Sequence, residues 1–172
     1  NAYDEATSRR TTLATAKPLT DWLMQTFSKN VVFAVPSVEI SGGVNVVLKH
    51  ADILRKHGFD VTILNTISQK MHTAESRRLD DLSEILQYKT ILEQRIDEMV
   101  ATLWATVPMV RKVNNVTTKS YFVQNLETDF LQPGDKNRLV ANATYCYDDL
   151  KYTTMSLWCK EWLKDSYGQS AL

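Results

Sequence analysis

Five consecutive apolar, β-favouring residues, Val31-Val-Phe-Ala-Val35, end abruptly at Pro36. A run with no polar alternation leaves neither face suited to water. Both faces need cover, as in a strand inside a parallel sheet. After the loop Ser37-Val-Glu-Ile-Ser41 comes the pair Gly42-Gly43. Val44, Val47, Leu48, Ala51 and Leu54 then mark one face of a helix. Lys49, His50, Arg55, Lys56 and His57 load its C-terminal half, where positive charge complements the helix dipole. Gly58 suits the position just past a helix end, and Asp60-Val-Thr-Ile-Leu64 reads as a second strand. Strand, glycine loop, helix, glycine and strand make a βαβ unit.

The same alternation continues on both sides. Residues 1–17 are polar and rich in Thr and Ala, which reads as an N-terminal arm. Pro18 opens a helix in which Leu19, Trp22, Leu23, Thr26 and Phe27 share a face. From Thr66 to about Asp97 charges are dense. The absence of glycine and proline between Ser68 and Val107, with Leu79, Leu82, Ile85 and Leu86, favours helix there. Met99–Trp104 reads as a third buried strand, Pro108–Val113 as a short helix and Tyr121–Val123 as a fourth strand. Asp135–Tyr147 follows as a helix, Tyr152–Trp158 as a short strand, and Lys160–Tyr167 as a final helix closed by Gly168. Alternating helices and strands imply a doubly wound, mostly parallel α/β sheet.

The length of 172 residues fits one sizeable domain, and 44% apolar residues suffice for a core. Twenty basic and twenty acidic residues cancel, so the charge that holds a nucleic-acid backbone is missing and no nucleic-acid partner is expected. Cys146 and Cys159 sit among aromatic and apolar residues and read as two buried thiols rather than a disulfide framework. Asn115-Val-Thr and Asn142-Ala-Thr match the short glycosylation sequon, a pattern common by chance. No run approaches the ~20 apolar residues that cross a bilayer, and Arg9-Arg10 precede no apolar stretch of a signal peptide. A soluble protein in a reducing, cytoplasmic compartment is expected.

Ligands of open parallel sheets bind beyond the carboxyl ends of strands, near the point where strand order reverses. Four segments meet this rule: Pro36–Gly43, the neighbourhood of Asn65, the turn Trp104-Ala-Thr106, and Gln124–Asp129. Gly42 and Gly43 would let backbone approach a ligand at a helix N-terminus, or would serve only as a tight packing turn. Their spacing is neither GxGxxG nor a phosphate loop, which argues against a nicotinamide enzyme. Glu39 is a candidate base or sugar-hydroxyl ligand, with a solvated loop carboxylate as the plain alternative. Gln124 and Asn125 can donate and accept hydrogen bonds, which suits a polyhydroxyl ligand; Glu127 and Asp129 add an acidic pair, with loop capping as the alternative. Asp148 and Asp149 read as a solvated turn. His50, His57 and His72 form no metal-ligand set, and no GxSxG elbow is present.

The segments Val31-Val-Phe-Ala-Val-Pro-Ser37, Ile40-Ser-Gly-Gly-Val-Asn45, Leu48-Lys-His-Ala51 and Leu54-Arg-Lys-His-Gly-Phe-Asp-Val-Thr62 resemble the opening of retaining-type GT-B glycosyltransferases. Tyr121-Phe-Val-Gln-Asn-Leu-Glu-Thr-Asp-Phe130, with Ala143-Thr-Tyr145 and Ser156-Leu-Trp158, resembles the bacterial WsaF-like rhamnosyltransferases of S-layer glycan synthesis. The resemblance spans about residues 30–170. It implies a Rossmann-like acceptor-side lobe over 31–172, preceded by an arm and helix over 1–30, and a donor-binding C-terminal lobe outside this chain. It further implies rhamnosyl transfer from dTDP-rhamnose to an oligosaccharide acceptor, without a cofactor or catalytic metal. A lipid-linked acceptor would bring the enzyme to the inner face of the membrane. Carried over by position, Gly42, Gly43 and Asn45 match the cleft-facing loop, and Gln124, Asn125 and Glu127 the second strand-end segment. A free-standing nucleotide- or sugar-binding module is the competing expectation, and one lobe alone is expected to be inactive.

Overall fold

The computed structural model describes residues 29–37, 41–66, 70–73 and 94–172. Among these residues there are six strands, β1 (Asn30–Val35), β2 (Asp60–Asn65), β3 (Lys70–Thr73), β4 (Ile96–Ala101), β5 (Val116–Val123) and β6 (Lys151–Thr154). The helices are α1 (Gly42–Lys56), α2 (Val107–Lys112), α3 (Lys136–Ala143) and α4 (Leu157–Tyr167). The strands form one sheet in the order β3-β2-β1-β4-β5-β6. β2, β1, β4, β5 and β6 run parallel, and β3 joins the edge antiparallel to β2. The fold is therefore a doubly wound, mostly parallel, Rossmann-like α/β sheet.

β1 explains the architecture. It pairs with β2 through Asn30–Asp60 to Val35–Asn65 and with β4 through Val31–Glu98 to Ala34–Ala101. Successive side chains point to opposite faces, so the unbroken apolar run feeds two cores. Val31, Phe33 and Val35 join Val61, Ile63, Val100 and Phe122 under Val47 and Ala51 of α1. Val32 and Ala34 join Met99, Ala101, Tyr121 and Val123 on the other face, against Val107 and Val110 of α2, Tyr145, and Leu163 of α4. That second core is aromatic at its far end. Tyr145 stacks on Tyr121 at 5.9 Å and meets the Trp162 edge at 5.0 Å.

Local signals set the helix ends. The Ser41 hydroxyl accepts from Val44 N–H at 3.2 Å and caps α1, and Gly58 follows it at φ +84°. Asp135 caps α3 through Asn137 N–H, and Ser156 caps α4 through Cys159 N–H. Gly168 closes α4 at φ +69°. After α4, Ala171 bridges Tyr152 in parallel, and the Leu172 N–H donates to the Tyr152 carbonyl at 3.1 Å.

Several boundaries differ from the sequence reading. β4 begins at Ile96 and ends at Ala101, and Trp104–Thr106 is a 3-10 turn, because Thr102 and Leu103 N–H groups both turn to the Thr106 hydroxyl. β5 extends back to Val116 through a polar half that periodicity does not flag. The helix expected over 135–147 stops at Ala143 and tightens into a 3-10 turn at Thr144–Cys146. β6 ends at Thr154, and Leu157 and Trp158 open α4 instead of closing a strand. Residues 70–73 form β3, within the stretch where the lack of glycine and proline favours helix. The helix expected over 18–27, the arm before it and the Leu79–Leu86 helix lie outside the described residues.

The cysteines also part. Cys159 is buried and Cys146 exposed, and both are free thiols. Asp149 is more than a solvated turn residue: both its oxygens accept from Arg111 Nε at 2.9 Å, and that guanidinium lies 3.6 Å over the Tyr147 ring.

The second core has no slack at Leu163, which is 0% exposed, whereas Leu139 of α3 is 77% exposed. Leu163→Ala is expected to cost about 2–5 kcal/mol of unfolding free energy. Leu139→Ala should stay within about 0.5 kcal/mol. Urea denaturation of the two variants checks the difference.

Candidate functional site

Strand order reverses at β1, whose two neighbours leave it on opposite sides. The crevice beyond the carboxyl ends of β1 and β4 is thus where a sheet of this kind receives a ligand. Threonines close the backbone at this point. On the β2 side, the Thr66 N–H and hydroxyl both donate to the Val35 carbonyl, at 2.9 and 3.1 Å. On the β4 side, the Thr102 N–H and hydroxyl both donate to the Ala34 carbonyl, at 3.2 and 2.8 Å. The last two carbonyls of β1 are therefore drawn apart, one to each neighbour.

α1 starts directly above this split. Gly42 and Gly43 are its first two residues and both are exposed. Neither has positive φ, since the described positive-φ glycines are Gly58, Gly134 and Gly168. Their value is the missing side chain. N–H groups of a first helical turn have no carbonyl four residues back within the helix, and the dipole turns its positive end outward there. At Gly42 a Cβ would meet nothing within 4 Å; at Gly43 it would lie 3.3 Å from Oε1 of Gln124. Gln124 leaves the end of β5, and its Nε2 reaches the Thr102 carbonyl at 3.4 Å. Gly43, Thr102 and Gln124, from three separate segments, thus converge on the crevice. Asn45 is exposed one turn into α1. Asn125 is exposed beside Gln124, and its Oδ1 accepts from Leu126 N–H at 2.8 Å.

Glu127 behaves differently from the other candidates. It is 3% exposed and faces inward. Its Oε2 accepts from the Trp104 N–H and from the Tyr121 hydroxyl, each at 2.6 Å. Its own N–H donates to the Tyr145 hydroxyl at 3.1 Å. Burial pushes the carboxyl up to about 7, while the two donors pull the other way. Tyr121 and Tyr145 are pushed above the usual phenol range, foremost by their own burial, and remain neutral. The carboxylate expected to meet a ligand instead fastens the Trp104 turn to β5. The sequence offered no sign of this, because the tyrosines that hold Glu127 lie six residues before it and eighteen after. Asp129 stays at the surface, 3.7 Å from Arg138. Glu39 lies outside the described residues.

Among the described residues, no group of three or more His, Cys, Asp or Glu is placed to hold a metal ion, and no helix is long and apolar enough to cross a membrane. The fold is an open α/β domain in which Gly43, Thr102 and Gln124 meet at the strand-order switch. No protein-family model matches the chain, and no curated protein or solved structure is significantly similar to it.

The Tyr121 hydroxyl and the Glu127 carboxylate are mutually dependent. Tyr121→Phe withdraws one of two donors from a buried oxygen and is expected to destabilise the domain by about 1–3 kcal/mol. Chemical denaturation at neutral pH checks this, with Tyr147→Phe as the half-buried comparison.

Proposed function

We propose that this domain is the acceptor-side lobe of a sugar-nucleotide-dependent glycosyltransferase, and that the group transferred is rhamnose, from dTDP-rhamnose to a growing bacterial surface glycan. The observation that carries the reading is the convergence of Gly43 and Gln124 at the strand-order switch, 3.3 Å from a would-be Cβ to the amide oxygen. A side-chain-free helix start lets ligand oxygens reach backbone N–H groups. The primary amides of Gln124 and Asn125 offer both donors and acceptors without net charge, which is the chemistry a polyhydroxyl acceptor requires. The sequence resemblance supports the same edge, since its matching segments include Ile40–Asn45 and Tyr121–Phe130.

In this reading the donor nucleotide is held chiefly by a second lobe, so the present domain positions the acceptor. Orientation of two reactants can account for ~7–11 kcal/mol of a barrier, which one lobe alone does not supply. Gln124 and the α1 start bind acceptor hydroxyls, and no metal or cofactor takes part. Glu127 acts on the site only through the backbone it holds. A lipid-linked acceptor would bring the enzyme to the cytoplasmic face of the membrane.

Titration of the chain with a rhamnose-terminated oligosaccharide, followed by amide NMR, tests the assignment. The amides of Gly42, Gly43, Gln124 and Asn125 are expected to shift. Gly43→Val, which crowds Gln124, is expected to weaken binding at least about tenfold, ~1.4 kcal/mol, while the variant keeps its circular-dichroism spectrum. Undisturbed amides at this edge, or unchanged affinity in a folded Gly43→Val, would refute the reading. Tight binding of dTDP-rhamnose with no response to the oligosaccharide would favour a nucleotide-binding module.

A further inference from the structure

We propose that Glu127 is a proton-operated clamp between the two loops of the carboxyl edge, tightening its hold on the Trp104 turn when ionised and relaxing it when protonated. The geometry is that of a pin. One carboxylate oxygen takes a backbone donor from the turn after β4 and a phenol donor from β5, both at 2.6 Å. Because both bonds end on Oε2, Oε1 can carry a proton without either partner being displaced. Protonation therefore changes the strength of the pin and leaves its shape. A hydrogen bond to an ionised acceptor is roughly twice as strong as one to a neutral acceptor.

The groups facing the carboxyl leave its protonation to burial. From β5 comes the Tyr121 hydroxyl; from the 3-10 turn after α3 comes the Tyr145 hydroxyl, which accepts from the Glu127 N–H. The β4 side presents the Trp104 backbone N–H. The nearest charges in sequence and on α3, Asp129 and Arg138, pair with each other at 3.7 Å, and Arg138 also donates to the Leu131 carbonyl. Neither is among the groups that perturb Glu127. A carboxyl taken from water without a cationic partner favours its neutral form, which brings its titration to about 7. Both facing phenols are pushed upward and do not titrate in that range.

The pin is connected to the crevice. The Trp104 turn begins where Thr102 and Leu103 N–H groups share the Thr106 hydroxyl, at 3.1 and 3.3 Å. The Thr102 carbonyl accepts from Gln124, whose amide oxygen faces Gly43. Loosening Trp104 is thus felt at Thr102, at Gln124 and at the start of α1. The inference holds whichever ligand the crevice takes.

Local tightness and global stability move in opposite senses as pH rises. The folded state binds this proton more tightly than the unfolded chain, whose carboxyl titrates near 4.5. Glu127 therefore contributes its full stabilisation below about 4.5, and that contribution is lost as pH climbs to about 7. The loss is on the order of 10²-fold in the folding equilibrium constant. Over the same range the Trp104 hydrogen bond strengthens. A buried carboxyl that held no turn would show the first trend without the second.

The test is a pH titration of the whole chain from 4 to 9, following the Glu127 side-chain carboxyl carbon and the Trp104, Thr102 and Gly43 amides by NMR. The expected result is a common midpoint near 7 for the carboxyl and the Trp104 amide. Glu127→Gln should abolish the Trp104 step and flatten the matching change in denaturation midpoint. The carboxyl titration is read in the unsubstituted protein, so it stands even if the variant folds poorly. A carboxyl midpoint near 4.5, or a Trp104 amide that ignores the Glu127 titration, would overturn the proposal.

Discussion

Everything in this domain depends on β1 having no free side. Its side chains are buried on both faces, and its backbone pairs with β2 on one edge and β4 on the other. A strand in that position must be apolar throughout, which Val31–Val35 satisfies. It also forces two separate cores. One lies under α1 and packs valines and Ile63 with Phe33 and Phe122. The other is deeper, built on α2, the Tyr145 turn and α4, with tyrosine hydroxyls that must find partners as well as space. Tyr152 shows how this is met: its hydroxyl donates to the Thr144 carbonyl at 2.8 Å and accepts from the Tyr147 N–H at 3.2 Å.

The constraint on β1 produces the crevice as well. A strand whose neighbours depart to opposite sides must part with its final hydrogen bonds in two directions, and Thr66 and Thr102 receive them. The helix that follows β1 starts over that gap with two glycines. Gln124 and the Trp104 turn enter from the β4–β5 side. Scaffold and candidate site are thus one arrangement, in which threonine and amide side chains make the polar contacts of the strand ends, the glycines leave space, and the buried carboxylate holds the frame.

The unit from Asn30 to Asn65 was legible because its signals are local. An uninterrupted apolar run, a helical stripe and a glycine at a helix end each act within a few residues. The final helix was legible at its Gly168 end for the same reason, yet its start was missed. Leu157 and Trp158 look like strand residues, and only the Ser156 cap reveals them as a first helical turn. The polar half of β5 was missed because pairing with β4, rather than side-chain burial, makes Val116–Lys119 a strand. Of the site, Gly43 and Gln124 were found as separate candidates, but their approach is set by tertiary structure. Glu127 read as a ligand-facing acid because exposure is not encoded locally; two distant tyrosines and one backbone N–H draw it inward. The Cys146 and Asp149 environments likewise follow from how the turn before β6 packs on α2, which no short window contains.

The placement of β1 also bears on how the chain is made. Its first partner, β2, follows closely, as the Asn30–Asp60 pairing shows. Its second lies much further along, and the bond from Asn30 N–H to Asp97 joins residues 67 positions apart. A ribosome releasing this chain from its amino end would expose β1 with one edge unpaired until β4 had emerged. During that interval this wholly apolar run is also an open template for pairing with another chain. Parallel neighbours cannot be supplied by a tight hairpin, so no rearrangement of local turns would shorten the wait. The residue pattern that secures the finished sheet is therefore the one that leaves the nascent chain most in need of a chaperone.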